Sequence, residues 1–121
     1  MEETLLDKTY RYVDAFHNRK MDVLEDMFAY DIHLKDPNIS LENKGEVLDF
    51  LEKLYEENNL ITFTAYKIIA VEDQNFSVIE FALLIGHEDA AGIKVCNIYK
   101  GTDHITWNKY GQIEDINAYL Y

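Results

Sequence analysis

The chain has 121 residues, 23 acidic and 11 basic, and so a formal net charge of −12 at pH 7. That length allows a single domain over 1–121, and 48% hydrophobic residues, with six Phe and nine Tyr among the aromatics, suffice for one core. The acidic surplus repels phosphate backbones and anionic lipid, which excludes nucleic-acid and membrane-surface binding as expected roles.

The start, Met1-Glu2-Glu3-Thr4, runs straight into helical periodicity and lacks the basic and apolar regions of a signal peptide. From Glu2 to His17, residues Leu5, Thr9, Tyr12, Val13 and Phe16 form one stripe of an amphipathic helix. Asn18-Arg19-Lys20 breaks it, and Met21 to Ala29 reads as a second, short helix through Val23, Leu24, Met27 and Phe28. A strand follows at Ile32-His33-Leu34-Lys35-Asp36, ended by Pro37; its alternation puts Asp36 on the same face as Ile32 and Leu34. After a polar loop, Lys44 to Glu57 is a third helix with a broad apolar face of Val47, Leu48, Phe50, Leu51, Leu54 and Tyr55, stopped by Asn58-Asn59.

The remainder is β-rich. Ile61 to Glu72, Phe76 to His87, Ile93 to Trp107 and Gln112 to Tyr121 read as four long strands, with turns at Glu72 to Asn75 and Asn108 to Gly111 and a loop at Glu88 to Gly92. Consecutive strands with short connections make an antiparallel meander. Three helices preceding it predict an α+β domain with the helices on one face of the sheet. The lone Cys96 allows neither an internal disulfide nor a cysteine zinc site and fits a reducing compartment, so a cytoplasmic location is expected.

Two carboxylates stand out. Asp103 shares a strand face with Tyr99, Gly101, Ile105 and Trp107, an apolar row in which an aspartate must find a donor or take up a proton. As a structural residue it would accept from a Tyr or a backbone N–H; as a functional one it would donate a hydrogen bond in its neutral form. Asp36 poses the same choice, since before Pro37 it could simply cap a turn. Tyr12 sits at the centre of the first helix's buried stripe, and Glu80 lies in the row Val78, Glu80, Ala82 and Leu84, facing either a pocket or a dimer interface. The four histidines form no i, i+4 pair, and no metal site is expected. Neither a nucleophile elbow nor a Gly-rich phosphate loop is present, which removes acyl-transfer and nucleotide chemistry, and no cofactor is expected.

The order of elements, with Tyr12-Val13, Met27-Phe28-Ala29, Lys35-Asp36-Pro37, Gly45 and Asp103-His104, resembles the nuclear transport factor 2-like superfamily over nearly the whole chain, in particular its SnoaL-like and ketosteroid isomerase branch. The resemblance implies a cone-shaped, cystatin-like fold in which the helices close a curved, mostly antiparallel mixed sheet around one pocket. It further implies that Asp36 falls on the general base, and Tyr12 and Asp103 on the two oxyanion-hole donors. Tyr55 stands as a substitute for a supporting tyrosine that has no direct counterpart. Phe16, Tyr30, Phe50, Tyr55, Glu80, Tyr99, Ile105 and Ile116 are the expected pocket lining for a small hydrophobic molecule, with His33 and Ile39-Ser40-Leu41 near the rim. Pairing into a homodimer through the open sheet face is also implied, with Tyr66, Phe81 and Tyr99 contributing.

Three functions fit these residues: a proton-transfer enzyme, a non-catalytic binding protein, and a dimerisation module. The first requires an open cavity, Asp103 within hydrogen-bond reach of Tyr12, and Asp36 on the opposite wall. A collapsed cavity, or an Asp103 paired with Lys or Arg, would favour the other two.

Overall fold

The computed structural model describes residues 3–121. Helix α1 covers Leu5–His17. The expected helical start at Glu2 lies outside the described residues, while Glu3 and Thr4 precede the helix. Thr4 and Asp7 form a capping box, each side chain accepting from the other's backbone N–H, and the Glu72 carboxylate accepts from Leu5 N–H at 2.7 Å. Three side chains thus satisfy the donors that a helix start leaves open.

Helix α2 covers only Met21–Met27. The expected extension to Ala29 fails because Phe28 is extended, at φ −86° and ψ 132°, and β1 (Phe28–Lys35) begins there rather than at Ile32. Phe28 and Ala29 are buried as strand residues, and Phe28 pairs with Ile113. Burial of a whole Phe, worth about 2–3 kcal/mol, outweighs the helical periodicity that the local sequence displays. The register shifts between Phe28 and His33, and on this irregular stretch Tyr30 points into solvent, 87% exposed.

The polar loop contains a two-residue strand, β2 (Ser40–Leu41), antiparallel to β1. Helix α3 runs Lys44–Glu57, capped by Asn43. No basic residue occupies its last turn; Arg19, itself at φ +58°, instead donates to the carbonyls of Tyr55 and Asn58 at 2.9 and 2.8 Å. That places a guanidinium on the negative end of the helix.

Strands β3 (Leu60–Val71), β4 (Phe76–Glu88), β5 (Lys94–Trp107) and β6 (Ile113–Leu120) form the meander. A single 3-10 turn, Glu72–Gln74, joins the first two. The sheet order is β2-β1-β6-β5-β4-β3, antiparallel throughout except where β1 joins β6 in parallel. The chain therefore has the α+β architecture expected, three helices on a mixed, curved sheet.

Alternation divides each strand between the helix-covered face and the outer one. On β4, Ser77, Ile79 and Phe81 are buried, whereas Glu80 is exposed. On the helix-covered face, Ser77 Oγ accepts from the Trp107 indole N–H at 3.0 Å and lies 3.0 Å from Thr9 Oγ1. These buried polar groups pair with one another, so none is left without a partner. Gly101 is buried where β5 passes β6, and a Cβ there would run into the Tyr119 carbonyl oxygen. Beyond that point β6 ends, and Lys94–Lys100 of β5 are exposed.

Candidate functional site

A cavity of about 310 Å³ lies between the helices and the sheet. That is the small end of the range for ligand sites. Two carboxylates and a phenol reach it from three separate elements, Tyr12 from α1, Asp36 from just after β1 and Asp103 from β5, with Asn38 and Tyr99 also on its lining.

Sheet register sets the spacing of the two acids. Lys35 pairs with Asn117 across β1 and β6, so Asp36, one residue on, stands abreast of Ala118. Ala118 is in turn the partner of Asp103 on β5. Two strand spacings of roughly 4.8 Å put the backbones of Asp36 and Asp103 about 10 Å apart, with the small Ala118 side chain between them, so Asp36 stands beside Asp103 on the sheet wall and not on the opposite wall as expected.

Asp36 is held by an Asx-type turn. Its Oδ1 accepts from the backbone N–H groups of Asn38 and Ile39 at 2.7 and 2.8 Å; among the described residues Oδ2 has no protein donor. The turn-capping role and a place on the cavity wall are therefore compatible, one oxygen for each. Asn38 and Ile39 also line the opening.

Asp103 is 5% exposed and Tyr12 3%. Among the described residues neither side chain hydrogen-bonds to another protein group, and Asp103 has no cationic partner. The expected contact between Asp103 and Tyr12 is accordingly not a direct hydrogen bond; both open on the same space. Burial, reinforced by the negative charge of Asp36, pushes the Asp103 carboxyl up to about 7, so a large part of it carries a proton at neutral pH. Burial first, then the neighbouring Asp103 and Tyr55, raises the Tyr12 phenol well above its ordinary value. Tyr12 therefore remains a hydrogen-bond donor. Its ring is fixed by Phe16, Phe28 and Phe63, at centroid distances of 6.2, 6.4 and 6.4 Å.

Of the expected lining residues, Phe16, Phe50, Tyr99 and Ile116 do face the cavity. Four do not. Tyr30 is in solvent, and Glu80 sits on the outer sheet face, opposite Thr102. Ile105 is fully buried in the core beneath the cavity floor. Tyr55 turns away, donating its OH to the Phe16 carbonyl at 2.8 Å while the Arg19 guanidinium lies over its ring; it supports the α1–α3 contact and not Tyr12. The exposed His33 is 3.5 Å from Glu42 and lines no part of the opening.

Phe81, assigned by the sequence to the open sheet face together with Tyr99, instead stacks on Phe63 at 5.2 Å inside the cavity wall. Leu83, Ile85, Phe63 and Ala118 are also among the lining residues that sequence reasoning missed, as are Leu34, Asn38, Leu51, Leu54 and Leu120. The β4 residues carried a usable signal, because Ile79, Phe81, Leu83 and Ile85 form the more apolar of that strand's two rows.

Residues 10–116 match the SnoaL-like domain family. The chain belongs to that family. No curated protein matches it in sequence. Among solved structures, a nuclear transport factor 2-like protein of unknown function from Cytophaga hutchinsonii ATCC 33406 is similar over 100% of this chain and 93% of its own, with a TM-score of 0.79 and 12% identity. A candidate SnoaL-like polyketide cyclase from Shewanella putrefaciens CN-32 is similar over 99% and 90%, with a TM-score of 0.80 and 12% identity. A candidate isomerase of the SnoaL-like family from Agrobacterium tumefaciens str. C58 is similar over 96% of each chain, with a TM-score of 0.70 and 18% identity. At these identities the likeness establishes the nuclear transport factor 2-like fold. Among the described residues no helix is long and apolar enough to cross a membrane.

Proposed function

We propose that this SnoaL-like chain is an enzyme that moves a proton on a small hydrophobic carbonyl compound, leading to isomerisation, cyclisation or dehydration. One observation carries the reading: Asp36, Asp103 and Tyr12 converge on one apolar cavity, with Asp103 buried and, among the described residues, without a cation to hold it charged. The candidate cyclase and isomerase among the structural neighbours are in keeping with it.

In this reading Asp36 is the base. Its Oδ1 is anchored by two backbone N–H groups, and Oδ2 takes a proton from the carbon beside the carbonyl. The electron pair moves to the carbonyl oxygen as an enolate. Tyr12 and protonated Asp103 donate hydrogen bonds to that oxygen, which matters most as charge develops, in a site lined mainly by apolar side chains. Returning the proton from Asp36 two carbons further along completes an isomerisation. Attack by the enolate carbon or loss of a β-hydroxyl would give the other two outcomes.

Ultraviolet absorbance detects enone formation from β,γ-unsaturated ketones, both steroidal and small. Turnover by the native protein that disappears in Asp36→Asn supports the assignment; equal rates in both proteins contradict it. The outer sheet face, with exposed Ile69, Ile98 and Tyr119, is read as a homodimer contact. Its test is whether Ile69→Lys converts a dimer to a monomer in sedimentation.

A further inference from the structure

The cavity wall contains two carboxylates and, among the described residues, no Lys, Arg or His. Each element around Asp103 contributes either an acid or phenol, or uncharged side chains only. Helix α1 offers Tyr12, the turn after β1 offers Asp36 and the amide of Asn38, and β5 itself offers Tyr99. Residues Ile116, Ala118 and Leu120 of β6, Phe81, Leu83 and Ile85 of β4, Phe63 of β3, and the lining residues of α3 carry no charge.

Asp103 is 95% buried by its 5% exposure, has no protein partner among the described residues, and opens on this space. Six of the lining residues, Tyr12, Phe16, Phe50, Phe63, Phe81 and Tyr99, are aromatic. Aromatic faces attract cations, the more so when water is excluded, and the net charge of −12 raises the local concentration of cations around the whole chain.

We propose that the cavity binds small protonated amines, the ammonium group between Asp36 and Asp103 and the hydrocarbon body against the aromatic wall. Two carboxylates on one cavity wall repel each other when both are ionised, and an ammonium supplies a counter-charge that no described residue places there. Small size follows from a volume near 310 Å³, about that of ten water molecules in the liquid. Such binding does not require the site to be catalytic.

The test uses direct calorimetry at about pH 8 with three probes of one shape: 2-phenylethylamine, 2-phenylethanol and 3-phenylpropanoate. The amine binds at least about tenfold more tightly than the alcohol, and the carboxylate gives no saturable binding. Near pH 7 amine binding also releases protons, because the ammonium displaces the one Asp103 holds; the measured heat then varies with the ionisation enthalpy of the buffer. Asp103→Asn lowers the amine-to-alcohol affinity ratio by about fivefold or more, Asp36 retaining the rest. Equal affinity for amine and alcohol overturns the proposal. So does an amine-to-alcohol ratio undiminished in a folded Asp103→Asn, since the preference would then not come from the carboxylate the site is built on. Should the variant not fold, the amine-to-alcohol ratio and proton release in the native protein still decide. No turnover is read, so failure here leaves the proton-transfer reading standing, and failure of that reading leaves this one.

Discussion

Asp36 and Asp103 stand on either side of Ala118, one in the turn that follows β1 and the other within β5. The parallel joining of β1 to β6 creates this relationship, because it brings the end of the first strand level with the middle of the fifth. The separation is too great for a hydrogen bond between the acids and short enough for the charge on one to be felt by the other.

That coupling is measurable. Asp36→Asn removes the negative charge facing Asp103, so the Asp103 carboxyl should titrate at lower pH than in the native protein while staying above the ordinary aspartate range, since burial is the larger cause. Carboxyl carbon shifts followed by NMR across a pH series check this; an unchanged midpoint would mean the two acids do not sense each other.

Stability should depend on pH through the same group. Folded Asp103 holds its proton up to about pH 7, against 3.8 as its ordinary value. A raised folded value contributes stability that is present in full below the unfolded value and is lost as pH rises through the folded one. The loss between these limits is about 4 kcal/mol. Urea unfolding at about pH 5 and 8 should show a fall in the native protein that Asp103→Asn lacks, making the variant relatively more stable in alkali.

The buried polar cluster that joins α1, β4 and β5 depends on Ser77. Ser77→Ala leaves the Trp107 indole N–H without its acceptor and the Thr9 hydroxyl without its neighbour, at a cost of about 1–3 kcal/mol. A urea midpoint within error of native would contradict this. Gly101→Val should cost more, since its side chain would collide with the Tyr119 carbonyl and force β5 from β6; loss of the folded state in circular dichroism is the expected result.

Ala118→Leu tests the cavity without touching an acid. Its longer side chain projects between Asp36 and Asp103, and β6 is flanked there by neighbours on both sides. The fold should survive while ligand affinity falls by about tenfold or more, read by calorimetry.

Much of this was legible in the sequence, for identifiable reasons. The period of two holds from Gly101 to Trp107 of β5, so Asp103 shares the buried face of Ile105 and Trp107. Asp36 was readable both as a turn former and as an inward residue, and the structure assigns it both positions. The misplaced residues depended on partners distant in the chain. Both rows of β4 are largely apolar, and only the helices that cover one of them decide that Phe81 points in and Glu80 out. Phe28 leaves its helix for a strand because Ile113, 85 positions later, receives it. Tyr55 stood as a site residue only through the resemblance, and the Phe16 carbonyl and Arg19 engage it elsewhere. Ala118 has no chemical signal of its own; its importance lies in the two strands that flank it.

The most direct test of the central claim is exchange of the protons beside the carbonyl of 2-tetralone in deuterium oxide, followed by proton NMR, because it detects proton transfer whatever reaction follows. The native protein should accelerate exchange above buffer, with Asp36→Asn slower by about a hundredfold or more and Tyr12→Phe by about tenfold. Exchange no faster than buffer, or undiminished in Asp36→Asn, would contradict the assignment of this cavity to proton-transfer catalysis.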